Sequence, residues 1–144
     1  MLEKEIQGSH LHLTYRRDME ILFLRWTKPV DSMLLRKSYL EALEFAYDLG
    51  VSLWLFDLRG RGGASEEDEA WILKEFFPAA EQRLGHGNYV AYLISPNHYQ
   101  HVQEHVGLDF LADYSERTKI KIFMSESDGI DWLSSFKTVQ IPKK

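Results

Sequence analysis

The sequence predicts an α/β fold with a mixed sheet of five strands and about four helices. Three observations favour this class. Strand-like and helix-like apolar patterns alternate in the order β-β-α-β-α-β-α-β-α. The links between them are short, which favours right-handed crossovers and a largely parallel sheet. Residues 53–56 are all apolar, as expected of a strand covered on both faces.

The first two predicted strands are residues 10–15 and 21–26. The first alternates apolar and polar side chains, which is typical of a strand with one face in solvent. The second is nearly all apolar and is expected to lie further inside the sheet. The short polar link at 16–19 predicts an antiparallel hairpin. The first strand is then an exposed sheet edge, which could pair with a second copy of the chain in a homodimer.

The first predicted helix covers residues 33–49, where apolar residues recur at spacings of three and four. Asp31 and Ser32 are both suitable caps for its start, and Gly50 stands where a helix-terminating glycine belongs. A second helix is expected to begin at Ser65 and to be kinked or ended by Pro78. Its first turn carries four acids, which the helix dipole favours: Glu66, Glu67, Asp68 and Glu69.

The remaining elements follow the same alternation. Residues 89–94 predict a strand, and Ser95 with Pro96 predicts a helix start. Residues 109–116 read as a further helical piece, and 119–124 as the last strand. Ser125 is expected to cap a closing helix. The chain shows no linker or repeat, so we expect one domain over residues 1–144, with a core at about 9–136 and a loose C-terminal tail.

Composition excludes several classes of function. The 144 residues include no cysteine, so disulfides, thiolate metal sites and cysteine nucleophiles are excluded. The net charge of −5 opposes generic binding to nucleic acid. No apolar run approaches the ~20 residues that span a bilayer. The N-terminus also lacks the basic and apolar regions of a signal peptide. We therefore expect a cytoplasmic protein that is not an integral membrane protein.

Three stretches together resemble a known group: LFDLRG (55–60), EAWILKEFFP (69–78) and IKIFMSESDGIDWL (120–133). The sequence is similar to the STAS group of anti-sigma-factor antagonists, and more closely to the small bacterial STAS-like (SpoIIAA-like) proteins of unknown function. The resemblance covers about residues 9–136. It implies a STAS-like five-stranded sheet and a regulatory role.

The resemblance also implies a phosphorylation site at Ser65. Well-known members of the group are switched by phosphorylation of a serine near the start of the helix after the middle strand. The usual Asp-Ser-Ser-Gly-like sequence is absent here, and four acids follow Ser65. These acids would repel a phosphate, so a simple helix cap is favoured.

The loop at residues 59–65 is the first candidate binding site. Arg59, Arg61 and Gly62 precede the helix start at Ser65, and such a loop could cradle an anion at the carboxyl end of a strand. It matches neither the GxGxxG nor the P-loop pattern. The alternative is a flexible crossover whose arginines pair with neighbouring acids. Asp57, at the strand end, is expected to accept hydrogen bonds from this loop.

Two further clusters have less specific patterns. His98, His101 and His105 share one side of a helix and could bind zinc or nickel, but a solvated flank is favoured because no HExxH motif is present. Adjacent Phe76 and Phe77 could divide between the core and a groove or partner surface. Core packing is the default for both.

No catalytic motif is recognisable, and the sequence predicts no cofactor. The leading prediction is a non-catalytic regulatory or protein-interaction domain. The alternative is a module that binds a small anionic or amphipathic, lipid-like ligand near the 59–65 loop. A closed apolar pocket of roughly 300 Å³ or more would favour the ligand, and a flat surface would argue against it.

Overall fold

The structure is a computed structural model that describes residues 2–6, 10–105 and 114–137. Within these residues one sheet contains six strands in the spatial order β1-β2-β3-β4-β5-β6. β1 to β3 are antiparallel, and β3 to β6 run parallel. The strands are β1 Leu2–Ile6, β2 Leu11–Arg16, β3 Ile21–Trp26, β4 Leu53–Asp57, β5 Asn88–Leu93 and β6 Thr118–Phe123.

The α/β class, the β2–β3 antiparallel pair and the parallel strands are confirmed, but the strand number is wrong. The extra strand is β1, in which three of the five residues are charged (Glu3, Lys4 and Glu5). So charged a segment lacks the apolar pattern by which strands are recognised. β1 pairs with Leu11 to Tyr15 of β2, so residues 10–15 do not form a sheet edge. Homodimer pairing through that edge is therefore wrong, because β1 already occupies it, whereas a homodimer as such stays a prediction.

Four helical segments accompany the sheet in the described part of the chain. The first is α1 Ser32–Leu49. The second is a continuous unit made of α2 Glu66–Trp71, a π turn Ile72–Phe76 and α3 Phe77–Leu84. The third and fourth are α4 Pro96–His105 and α5 Glu126–Ser134. The helical piece predicted at 109–116 falls mostly outside the described residues, as does the tail after residue 137. No helix that the structure describes combines the length and apolar character needed to cross a membrane.

The predicted helix boundaries are confirmed where capping residues define them. Asp31, rather than Ser32, caps α1 and accepts the Leu34 N–H at 2.9 Å. Gly50 ends the helix with a φ of 67°. Ser65 caps α2, accepting the Asp68 N–H, and Ser125 caps α5 in the same way.

Pro78 does not end its helix, because the chain changes register before it. In the π turn the Phe77 N–H donates to the Ile72 carbonyl, five residues earlier. In this register the partner of the Leu73 carbonyl would be the nitrogen of Pro78, which has no N–H. The Tyr114 hydroxyl donates to that carbonyl instead. The helix therefore continues into α3 with its free acceptor satisfied.

The two faces of the sheet carry different layers. The strands follow chain order, so right-handed crossovers place every connecting helix on one face. Residues of α1, the α2–α3 unit and α4 share one buried cluster with that face, whereas Leu133 of α5 belongs to a cluster on the other. All five residues of β4 are buried between these layers, which confirms the predicted central strand.

Candidate functional site

A cavity of about 440 Å³ lies where α2 and α4 pass over the carboxyl ends of β4 and β5. Its volume falls within the range of about 300–1,000 Å³ that is usual for small-molecule sites. Ligands of open α/β sheets also gather at strand carboxyl ends. The wall is mainly apolar: Leu58, Ala64, Ile72, Leu73, Tyr92, Ile94, Val102 and Ile122.

Arg61 is the most deeply buried charged group in the cavity wall, with only 5% of its surface exposed. Its Nη1 donates to the Tyr39 hydroxyl at 2.9 Å, and its Nε donates to the Gly62 carbonyl at 3.2 Å. The guanidinium lies 4.8 Å from the centre of the Trp26 ring. Among the described residues, no carboxylate lies within ion-pair distance of it. Arg61 is thus held by neutral groups.

Glu69, one turn into α2, is the acidic group deepest in the cavity. Its Oε1 accepts the Ala64 N–H at a long 3.4 Å. Burial raises the pKa of the Glu69 carboxyl, and the nearby charge of Arg61 only partly offsets this effect. The neutral form of Glu69 is therefore favoured more than it would be in water.

His98 contributes an imidazole to the cavity wall. Burial lowers its pKa, and the positive charges of Arg61 and His101 act in the same direction. Its Nδ1 is buried and has no hydrogen-bond partner among the described residues. Gly63 lies against the ring, and a Cβ there would come within 3.2 Å of Nε2. His98 is therefore a half-buried wall residue and not the solvated flank that was expected.

The other predicted metal candidates give no metal centre in the described part of the chain. His101 also lines the cavity, and the side chain of His105 lies outside what the structure describes. No cluster of three His, Asp or Glu side chains within the described ranges could hold a metal ion.

Asp57 and Arg59 lie on the opposite, α5 side of the sheet. The Asp57 carboxylate accepts hydrogen bonds from the backbone N–H and the Nε of Arg59. It accepts a further hydrogen bond from Nη1 of Arg25 at 2.8 Å. Glu126 of α5 lies 2.6 Å from the same Nη1. Burial alone would raise the pKa of Asp57, but hydrogen bonds from Arg59 and Arg25 outweigh it and hold the pKa below its usual value. The expected hydrogen bonds from the loop to Asp57 are confirmed.

The remaining candidates have local or core roles. Gly62 turns the loop with a φ of 79°, and Ser65 caps α2. Phe76 and Phe77 are both fully buried, so neither borders a groove. Phe76 ends the π turn and packs on Tyr39, whereas Phe77 begins α3 and packs on Phe56. The wider π turn allows both neighbours to face the sheet.

Sequence reasoning found Arg61 but missed how Glu69 contributes. Glu69 was recognised only as one of four acids in a helix start. It lies three and four residues before Ile72 and Leu73, so it shares their side of the helix. That spacing was the available signal, and it distinguishes Glu69 from exposed Glu67.

Comparison of the chain with protein-family models, curated proteins and solved structures finds no match. The STAS-like resemblance therefore stays a prediction, and the function must be argued from the geometry of the cavity.

Proposed function

We propose that this protein is a binding module for a small amphipathic molecule, held in the cavity between α2, α4 and the sheet. The observation that carries this proposal is a mainly apolar cavity of about 440 Å³ whose wall also includes a few polar groups, among them Arg61 of the loop, Glu69 of α2 and His98 of α4. Binding sites for small molecules commonly combine apolar walls with a few convergent polar groups.

The cavity contrasts with the tight packing beside it. Protein interiors are normally filled to crystal-like density. Beneath the cavity, aromatic rings pack closely: the Trp26 and Tyr39 rings stack with centres 5.5 Å apart, and the Tyr39 and Phe76 rings meet edge to face at 4.9 Å. A chain that packs these rings so well has the side chains to fill a neighbouring space. A space that the described residues leave unfilled beside Ile72, Leu73 and Val102 is therefore better explained by an apolar ligand body than by poor packing.

Transfer of the ligand's apolar body from water into the cavity would supply most of the binding affinity. Each Å² of apolar surface removed from water contributes about 25 cal/mol. The polar groups would then orient the ligand. The resemblance to STAS-like folds, which have been likened to lipid-binding CRAL-TRIO domains, supports a lipid-like ligand by analogy alone. A regulatory or protein-interaction role stays a prediction, and ligand occupancy is one way in which such a domain could be controlled.

The test is calorimetric titration with octanoate, 1-octanol and octylamine, each kept below the concentration at which it self-associates. We expect at least one of them to bind with a stoichiometry of one. Val102→Phe should abolish that binding because the larger ring occupies the cavity, while far-UV circular dichroism stays unchanged. The matched control is Gln103→Phe, which changes the next, exposed residue of α4.

Two results would contradict this function. One is the absence of binding by all three probes to the wild-type protein. The other is equal binding by the Val102→Phe and Gln103→Phe variants, which would place the probe on the surface and not in the cavity.

A further inference from the structure

We propose that the cavity selects amphiphiles with a carboxylate head group and that Arg61 is the residue that recognises it. This inference rests on the proposed binding function and names the class of ligand. It arises from the contrast between Arg61 and three less buried arginines, Arg25, Arg36 and Arg59.

Those other arginines each contact a carboxylate. Arg25 lies 2.8 Å from Asp57, Arg59 lies 2.9 Å from the same carboxylate, and Arg36 lies 3.1 Å from Asp68. Arg61 is far more buried, yet its described partners are a hydroxyl and a backbone carbonyl. Buried charges in proteins are normally paired, because removal of an isolated ion from water is costly. Arg61 therefore has the environment of a cation whose counter-ion comes from outside the described chain.

The contacts of Arg61 orient its guanidinium without neutralising it. Tyr39 and Gly62 occupy two of its five N–H donors, and its Cζ lies over the Trp26 ring, 4.8 Å from the ring centre. A guanidinium fixed in this way loses little freedom when it binds. Its remaining N–H groups can meet both oxygens of a carboxylate in a two-point contact. The head group would then lie beside the loop, with the apolar body towards Ile72 and Val102.

The other titratable groups near the cavity favour a ligand whose head group carries a single negative charge. Glu69 lies near Arg61 but makes no ion pair with it, and burial raises the pKa of its carboxyl, which weakens it as a counter-ion of Arg61. Burial and the charge of Arg61 lower the pKa of His98, which disfavours a second cation beside the head group. Glu66 lies at the solvent-exposed mouth, and His101 faces the cavity from α4. Arg61 can compensate one charge, whereas a phosphate monoester carries about −1.5 to −2 at neutral pH. The excess charge would remain buried beside Glu69, which favours a carboxylate over a phosphate.

The decisive experiment compares octanoate, octyl phosphate, 1-octanol and octylamine by calorimetry with the wild-type protein at pH 7. We expect octanoate to bind at least tenfold more tightly than 1-octanol. Octyl phosphate should bind less tightly than octanoate, and octylamine should bind most weakly. Equal affinities for octanoate and 1-octanol would overturn the inference while leaving the binding function intact. Tightest binding of octylamine would assign recognition to Glu69, and tightest binding of octyl phosphate would overturn the carboxylate assignment.

Variants connect the selectivity to Arg61. Arg61→Met keeps the length of the side chain and removes its charge, so octanoate affinity should fall to that of 1-octanol. The affinity for 1-octanol should change by less than about threefold, which shows that the cavity is intact. Arg59→Met is the matched control, two residues away on the other side of the sheet, and should keep the full preference.

Arg61→Lys tests the role of Arg61 in case the Arg61→Met variant does not fold. Lysine keeps the charge but lacks the planar fork, so we expect a reduced preference for octanoate that remains above that of Arg61→Met. An unchanged preference in a folded Arg61→Met variant, or a preference lost equally in Arg59→Met, would contradict the role of Arg61. If no probe binds the wild-type protein, the binding function itself fails.

Discussion

Arg59 and Arg61 are two residues apart in one glycine-rich loop, yet they have opposite environments. Arg59 is half exposed on the α5 side of the sheet and pairs with Asp57, while Arg25 and Glu126 complete the ion network. Arg61 turns to the other side and is buried over an aromatic ring, and its hydrogen-bond partners among the described residues are neutral. The difference teaches that the role of each arginine is set by the side of the sheet that it reaches.

The glycines of the loop create this separation. Gly60 passes so close to the end of β3 that a Cβ there would lie 2.2 Å from the Trp26 carbonyl oxygen. Gly62 then turns the chain with a positive φ that glycine adopts without strain. Between them, Arg61 is directed towards Tyr39 and the cavity.

The largest expected effect is that of Gly60→Ala, which should disturb the loop that places Arg59 and Arg61 on opposite sides of the sheet. The new methyl group would overlap a backbone oxygen, so the loop must move and carry Arg61 with it. We expect the free energy of unfolding, measured with urea, to fall by about 3 kcal/mol. The preference for octanoate should be lost as well.

Gly62→Ala is the matched control for that substitution. No atom lies within 4 Å of a Cβ at this position, so only the positive φ is unfavourable. We expect a loss of about 1 kcal/mol. A loss from Gly60→Ala no larger than this would show that the loop does not depend on close approach to β3.

A smaller effect should come from Asp57→Asn, which breaks the ion network on the α5 side. Asp57 accepts hydrogen bonds from Arg25 and Arg59, and its side chain is nearly buried. We expect a loss of about 2 kcal/mol in the free energy of unfolding. Asp18→Asn is the control, because Asp18 and Arg16 form an exposed pair that solvent screens, so its loss should cost much less than that of the Asp57 network.

Double mutants show whether the two arginines belong to separate networks. Asp57→Asn combined with Arg59→Met should be non-additive, because the two residues are direct partners. Asp57→Asn combined with Arg61→Met should be additive within about 0.5 kcal/mol. Strong coupling in the second pair would contradict the separation of the two sides.

The smallest effects should appear in the pH dependence of stability. The folded state lowers the pKa of Asp57, so its stabilisation is present above the unfolded pKa, about 3.9, and is lost as the pH falls through the folded value. The folded state raises the pKa of Glu69. The contribution of Glu69 to the free energy of unfolding is fully present below its pKa in the unfolded state, about 4.3. It is lost as the pH rises through the pKa in the folded state.

Urea unfolding from pH 3 to pH 7 checks these opposite signs. Asp57→Asn should be most destabilising near neutral pH and should approach the wild type in acid. Glu69→Gln should match the wild type in acid and become the more stable protein as the pH rises. The same sign of change for both variants would contradict the environments described for these carboxylates.

Local sequence signals predicted the helix ends well but could not predict side-chain direction in the loop. Gly50 and Ser65 define boundaries through contacts within a few residues, and the all-apolar β4 is visible without its neighbours. Arg61 depends on Tyr39 and Trp26, which come from elements distant in the chain. β1 was missed for the related reason that its pairing with β2, and not its own composition, makes it a strand.

The strand order has a consequence for folding during synthesis. Each strand pairs with the one made just before it, so no later strand has to insert between two that are already paired. The sheet can therefore grow in one direction as the chain leaves the ribosome, N-terminal strands first. The cavity needs Tyr92 of β5, Val102 of α4 and Ile122 of β6, so it closes only after β6 has been made. A nascent chain could therefore begin to pack the core around β3 and β4 before it could hold a ligand.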